Sequence, residues 1–223
     1  MFVHDDSIVF PRLIQRNLPT GRIYEVTDGR YQGEKFPSIT RILGAKPKPF
    51  LEQWKKKVGY AEANRIVRAS QGKGTSLHSL AEEYIGNNEL PEYQPNVAEL
   101  WVHLRPWLDQ HVTRVFGQEV DVFSVKLKAA GRFDLLAEID GKDLAIIDFK
   151  NSRKPKREEW MRDSYYLQGA FYSLSIYELT ERKAKRVIFP VVSPEGLQVF
   201  ETTPLDHLTE LTKRINEYYA CYA

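Results

Sequence analysis

Asp134, Asp148 and Lys150 are the residues whose types and spacing could do chemistry. Asp148 interrupts Ala145-Ile146-Ile147-Asp148-Phe149-Lys150, a run apolar enough to lie buried on both faces of a sheet. An unpaired carboxylate there is costly, so a cation is needed to neutralise it. With a rise of about 3.3 Å per residue and alternating side chains, Asp148 and Lys150 share a strand face about 6.6 Å apart while Phe149 points the other way. Asp134, at the start of the preceding strand, reaches the same face. Two carboxylates, the backbone carbonyl of Phe149 or Lys150 and water make a ligand set suited to magnesium, which takes oxygen donors and keeps much of its hydration. A salt bridge at a strand end would use the same Asp148 and Lys150, and D-x-K spacing alone does not separate the two.

The elements that must position these groups follow from periodicity. Phe133, Leu135, Ala137 and Ile139 recur at every second position, Asp140-Gly141 breaks the run, and Leu144 to Phe149 follows. This predicts a hairpin from Gly131 to Lys150. The basic loop Asn151 to Arg157 offers Arg153 and Lys154 to phosphate. A helix from about Glu158 to Leu179 then sets Gln168 and Tyr172 on one face, about 5 to 6 Å apart at Cβ. They are either core polar residues bonded to each other or contacts to nucleic acid. Two strands, Lys185 to Val192 and Leu197 to Thr202, and a helix from Pro204 close the chain.

Upstream of the hairpin, residues 1 to 37 read as short strands, and Ser38 caps a short helix that Gly44 ends. A helix follows from Phe50, with Leu51, Trp54 and Val58 as its apolar stripe and Gly59 as a break point. Gly72-Lys73-Gly74-Thr75 opens another, with Leu77, Leu80, Ala81 and Tyr84 inward and His78 one position off that stripe. Between Arg41 and Lys73 the bases are opposed only by Glu52 and Glu62. Such a one-sign face suits a phosphate backbone better than a solvated surface, which usually mixes signs. A long amphipathic helix runs from Val97 through Val112 and Val115 to Gly117, with His103 and His111 as packing or surface residues. The first core strand, holding Glu119, Asp121, Phe123 and Val125, comes next.

G-x-x-D at Gly131 to Asp134, D-x-K at Asp148 to Lys150 and Q-x-x-x-Y at Gln168 to Tyr172 stand in the order seen in the RecB-like branch of the PD-(D/E)XK nuclease superfamily, and the chain resembles that branch. G-T-S-L-H at Gly74 to His78 is similar to the R-G-T-x-x-H element of that branch and of the mitochondrial genome maintenance exonuclease family, with Lys73 where arginine is expected. P-S-I-T-x-I-L from Pro37, W-K-K-K-V-G from Trp54 and A-S-Q-G-K-G-T from Ala69 extend the resemblance from about Pro37 to Tyr172. It implies an α/β, restriction-endonuclease-like fold: a central mixed sheet flanked by helices, with a helical N-terminal extension over the active site. It makes Asp134, Asp148 and Lys150 catalytic. It puts His78, Asp134, Asp148 and the Phe149 (or Lys150) carbonyl on Mg2+ or Mn2+, and Gln168, Tyr172, Lys73, Arg153 and Lys154 on DNA. Glu119 matches a glutamate often found in relatives, either on the metal or behind its ligands. The activity implied is DNA exonuclease, on single strands or free ends, in replication, repair or recombination. An endonuclease with the same centre and a non-catalytic DNA-binding module are the alternatives.

A chain of 223 residues with 42% hydrophobic and 12% aromatic content is large enough for one sizeable core. We expect a single nuclease domain: strands over 1–36, a helical wall or arch over 37–116, the nuclease core over 117–203 and a closing helix over 204–223. No apolar run approaches the roughly 20 residues that span a bilayer. The first ten residues lack the layout of a signal peptide, so a soluble intracellular protein is expected, in a bacterial or phage-infected cytoplasm or an organelle. One cysteine, Cys221, excludes an internal disulfide and a thiolate-held iron-sulfur cluster. The net charge of +2, from 32 basic and 30 acidic residues, says little about nucleic acid; the local distribution says more. A lysine of ordinary pKa, about 10.4, is neutral in roughly one molecule in 2,500 at pH 7, so Lys150 is expected to act as a fixed positive charge.

Overall fold

The computed structural model describes residues 1–222. Its strands are β1 (Val3–His4), β2 (Leu13–Leu18), β3 (Gly21–Val26), β4 (Lys35–Pro37), β5 (Val112–Ser124), β6 (Ala129–Ile139), β7 (Asp143–Ile147), β8 (Lys150–Asn151), β9 (Arg186–Ser193) and β10 (Gly196–Thr202). Its helices are α1 (Ile39–Gly44), α2 (Pro49–Val58), α3 (Tyr60–Ile85), α4 (Pro95–His111), α5 (Glu159–Arg162), α6 (Tyr165–Thr180) and α7 (Leu208–Tyr222). The central sheet has the order β1-β5-β6-β7-β9-β10, with β8 beside β9, and β2-β3-β4 form a separate antiparallel sheet. Strands β5, β6 and β7 make an antiparallel meander. Asp140 and Gly141 turn the chain between the last two because both take left-handed backbone angles, φ 56° and 65°. The crossover through α5 and α6 returns the chain parallel to β7 as β9, as parallel neighbours require a long connection.

Helices cover both faces of the sheet, which is how a mixed sheet buries itself. On one side Ile39 of α1, Phe171 and Ile176 of α6 and Leu211 of α7 join Ile146 and Phe189. On the other, Leu77 and Leu80 of α3 and Leu104 and Leu108 of α4 pack on Leu135 and Ile147. This is the central mixed sheet flanked by helices that the sequence led us to expect. Among the described residues no helix is long and apolar enough to cross a membrane.

Several elements differ from expectation. The chain leaves α4 at His111, so Val112 and Val115 lie in β5 opposite Ile139 and Ala137; branched side chains in Val112-Thr113-Arg114-Val115 favour the strand. Helix α3 runs unbroken through Gly72 and Gly74 instead of starting there. The helix expected over 158–179 is divided into α5 and α6. Helix α2 forms, but its apolar stripe is not sealed: none of its residues is buried and Phe50 is 81% exposed. The alternation expected along β6 reverses at Asp134. Phe133 packs in the α6 layer, whereas Leu135, Ala137 and Ile139 pack under α3 and α4.

Candidate active site

The register of β6 and β7 ends at Leu135 opposite Ile147, so one step further Asp134 and Asp148 would face each other, two like charges directly opposed. The ladder stops there. The Asp148 N–H donates to the Ile188 carbonyl at 3.0 Å, and the Phe149 N–H donates to Asp134 Oδ2 at 2.6 Å. The chain then resumes as β8, with Lys150 opposite Val191. The strand expected to run through Lys150 is therefore broken at 148–149, because the Asp134 carboxylate takes the place of a backbone partner. The same break releases the Phe149 carbonyl, which accepts from His78 Nε2 at 2.8 Å.

His78 reaches this point from α3, on the turn where Leu77 and Leu80 enter the core. Its Nδ1 lies 3.3 Å from Asp134 Oδ1, so both ring nitrogens face acceptors, an arrangement that favours the imidazolium in the metal-free site. Burial works against that charge, but the Asp134 carboxylate outweighs it and lifts the His78 pKa to about 9. Burial likewise pushes Asp134 upward, yet His78, Lys150 and the Phe149 N–H hold it below the usual carboxylate range. Asp148 is 1% exposed. Burial pushes its pKa up to about 6, against the pull of the Lys150 ammonium and with the push of Asp134. Lys150 is ion-paired with Asp148 Oδ2. Burial lowers the lysine, but Asp148 and Asp134 together raise it, so it is a fixed ammonium.

Glu119 sits on β5 with φ 48°, in the left-handed region that a non-glycine residue enters only under constraint. Burial and the Asp134 charge push its carboxyl up to about 7. One ligand atom each from His78, Glu119 and Asp134 lie within 4.8 Å of one another. A nitrogen and two carboxylates at that separation fit a divalent ion, and the groups that hold the His78 ring, Asp134 and the Phe149 carbonyl, are oxygens a hard cation would also take. Glu119 thus stands with the candidate ligands. Asp148 is outside this group and belongs to the adjoining pair with Lys150. His78 and Glu119 border an open cleft of about 330 Å³, with Gly74, Thr75, Ser79 and Glu82.

Gln168 and Tyr172 are bonded to each other, Gln168 Nε2 donating to the Tyr172 hydroxyl at 2.8 Å and lying 3.5 Å from Asp148 Oδ1. Tyr172 is 1% exposed and has no surface to offer a nucleic-acid strand, so the expected DNA contact is corrected to a buried prop beneath the site. Its ring explains the glycine of G-x-x-D. A Cβ on Gly131 would lie 2.9 Å from Tyr172 Cε1 and 3.0 Å from Ile39 Cγ2. Of the expected basic contacts, Lys73 and Arg153 line one groove of about 320 Å³ with Arg65, Ile66, Leu100 and Asn151. Lys154 is exposed in the same loop, its carbonyl held by Ser152 Oγ at 2.7 Å.

Sequence reasoning missed three residues around Lys150. The Tyr165 ring lies 5.1 Å from the Lys150 ammonium and 5.7 Å from that of Lys156, within cation–π range. Gln198 of β10 grips the Lys156 peptide, accepting from its N–H at 2.6 Å and donating to its carbonyl at 3.1 Å. Lys156 had a signal, its place in the basic loop. Tyr165 and Gln198 had none, since only the fold brings α6 and β10 to that loop.

A helix-flanked mixed sheet that gathers carboxylates, a histidine and a charged lysine beside an open cleft is an arrangement suited to a hydrolytic nuclease. The sequence profile of the PD-(D/E)XK nuclease superfamily matches residues 90–220, more than half of the chain, and the protein belongs to that superfamily. Membership implies a nucleic-acid substrate, and His78, Glu119 and Asp134 form a possible site for the divalent ion that nucleases of this superfamily use. No curated protein matches the chain. Solved structures similar to the chain include the following two. The protein SSO0001 is 15% identical with a TM-score of 0.44, over 83% of this chain and 75% of that one. A provisionally named exonuclease of Eubacterium rectale is 14% identical with a TM-score of 0.49, over 68% of this chain and 65% of that one.

Proposed function

We propose that the protein is a RecB-like exonuclease that hydrolyses single-stranded DNA with Mg2+ or Mn2+ and without an iron-sulfur cluster, in DNA replication, repair or recombination. The observation that supports this most is the meeting of His78, Glu119 and Asp134 beside the Asp148–Lys150 pair, with His78 and Glu119 bordering an open cleft. In this reading Glu119, Asp134, Asp148 and the Phe149 carbonyl are available to hold the ion, and His78 would join them through Nδ1 by giving up the proton it carries there in the metal-free site. A bound divalent ion supplies positive charge that offsets the charge building on the phosphate and eases ionisation of the attacking water. Lys150, already an ammonium, adds a second fixed charge aimed at the same phosphate and needs no deprotonation. Asp148 holds that ammonium in place, and Gln168 supports Asp148 from below. Lys73 and Arg153 bind the strand's phosphates along the neighbouring groove, and Lys154 does so from the exposed loop.

The test is digestion of end-labelled linear and covalently circular single strands in Mg2+, Mn2+ and Ca2+. Loss of the linear strand with the circle intact is expected in Mg2+ or Mn2+. Cleavage of the circle would make the enzyme an endonuclease, and binding without cleavage in any metal would make it a non-catalytic module.

A further inference from the structure

We infer that Asn151 is a positioning residue that sets how α3 presents His78 to the carboxylates, which rests on the reading of His78 as a metal ligand. Asn151 follows Lys150 in β8 and is itself pinned opposite Val192 of β9. Its Nδ2 donates to the Ser70 carbonyl of α3 at 3.1 Å. Its Oδ1 faces Gly74, one turn further on, where an added Cβ would lie 2.9 Å away. The amide is therefore seated across one turn of the helix, bonded at one end and admitted at the other only because residue 74 has no side chain. One more turn leads from Gly74 to His78, about 6 Å along the helix.

Two features show that this seat is what fixes the approach. Between Tyr60 and Ser76 the only buried residue of α3 is Ala63, and the core-facing residues begin at Leu77, so sheet packing does not hold the preceding turns. Glycine inside a helix also lowers its stability, and Gly74 stands where the helix backbone and the Asn151 amide come close. Asn151 thus couples the strand that carries Lys150 to the helix that carries His78, and the two halves of the site move as one.

The experiment is Mn2+ titration by calorimetry of Asn151→Ala, Gly74→Ala and His78→Ala, and of the first two combined with His78→Ala, with a thermal melt of each. Outer partners of metal ligands typically govern affinity by about 10- to 100-fold. Asn151→Ala and Gly74→Ala are each expected to weaken Mn2+ binding by about 10-fold or more, and to add nothing once His78 is gone. Gly74→Ala is expected to do so without a lower melting temperature, since alanine is the better helix former. Unchanged Mn2+ affinity in Asn151→Ala and Gly74→Ala, or the same loss with and without His78, would overturn the positioning role. Wild-type affinity in His78→Ala alone would instead remove the ligand reading, and the inference with it.

Discussion

Gly169→Ala sets two effects of opposite sign against each other. Gly169 lies inside α6, where alanine would ordinarily stabilise an exposed helix by about 1 kcal/mol. Here an added Cβ would stand 2.3 Å from Val187 Cγ1, 3.1 Å from Val187 Cβ and 3.1 Å from Phe189 Cζ. Neither neighbour can yield easily: Val187 and Phe189 are both fully buried in β9, between β7 and β10, and valine is stiff at χ1. Overpacking costs about 1–3 kcal/mol, and so close an approach to a stiff buried valine calls for the upper part of that range, about 2–3 kcal/mol, so a net loss on the order of 1–2 kcal/mol is expected. Helix α6 must also lift from the sheet, taking Gln168 away from Asp148, so metal-dependent cleavage should fall with stability. Urea unfolding followed by tryptophan fluorescence measures the first effect. A cycle with Val187→Ala, which removes the clashing methyls, isolates the contact: the double variant should be more stable than the summed single effects by about 1 kcal/mol or more. A Gly169→Ala protein as stable as its parent, or strict additivity in the cycle, would show that close helix–sheet contact does not set the position of α6.

Asp148→Ala and Lys150→Ala should each abolish cleavage while DNA binding in Ca2+ survives; Lys150→Ala should also cost about 3–5 kcal/mol by leaving a buried carboxylate unpaired. Wild-type cleavage in either would defeat the assignment. His78 gains stability from a pKa raised to about 9, a contribution fully present below its unfolded value near 6.5 and lost as pH rises through 9. The metal-free protein should therefore lose on the order of 3 kcal/mol between about pH 6.5 and 9.5; a flat profile, or the same fall in His78→Asn, counts against the ion pair. Lys73→Ala and Arg153→Ala should each reduce the slope of log affinity against log salt by about 1, and an unchanged slope would take them off the DNA path. Tyr172→Phe should cost about 1 kcal/mol of stability through the lost partner of Gln168 and leave DNA affinity unchanged, whereas a marked loss of DNA affinity would restore Tyr172 as a contact.

Much of the candidate site was legible because the residues that form it are marked locally. An acid inside an apolar run and a lysine two residues on are visible in a few residues, and the Asp140-Gly141 turn fixes the hairpin register that carries Asp134 toward Asp148. The basic excess between Arg41 and Lys73 likewise needed only counting, though Arg65 spends its charge on Glu62 through bonds of 2.8 and 2.7 Å. What misled was the assumption of regularity. Alternation predicts one face for Phe133 through Ile139 and an unbroken strand through Lys150, and the backbone departs from both rules where the carboxylates meet.

The sequence by itself determined most helix and strand types, the hairpin and the candidate acids and lysine, because propensity, turn chemistry and the cost of a buried charge act over short stretches of chain. Only the tertiary structure decided that Glu119 stands with His78 and Asp134, that Tyr172 is sealed in the core, and that Gln198 and Asn151 hold the loop and helix around Lys150. Those outcomes depend on which distant elements share a surface. Hydrogen bonds and steric contacts act over a few ångströms, and residues 70 and 151 or 156 and 198 come within that range only after the sheet has closed.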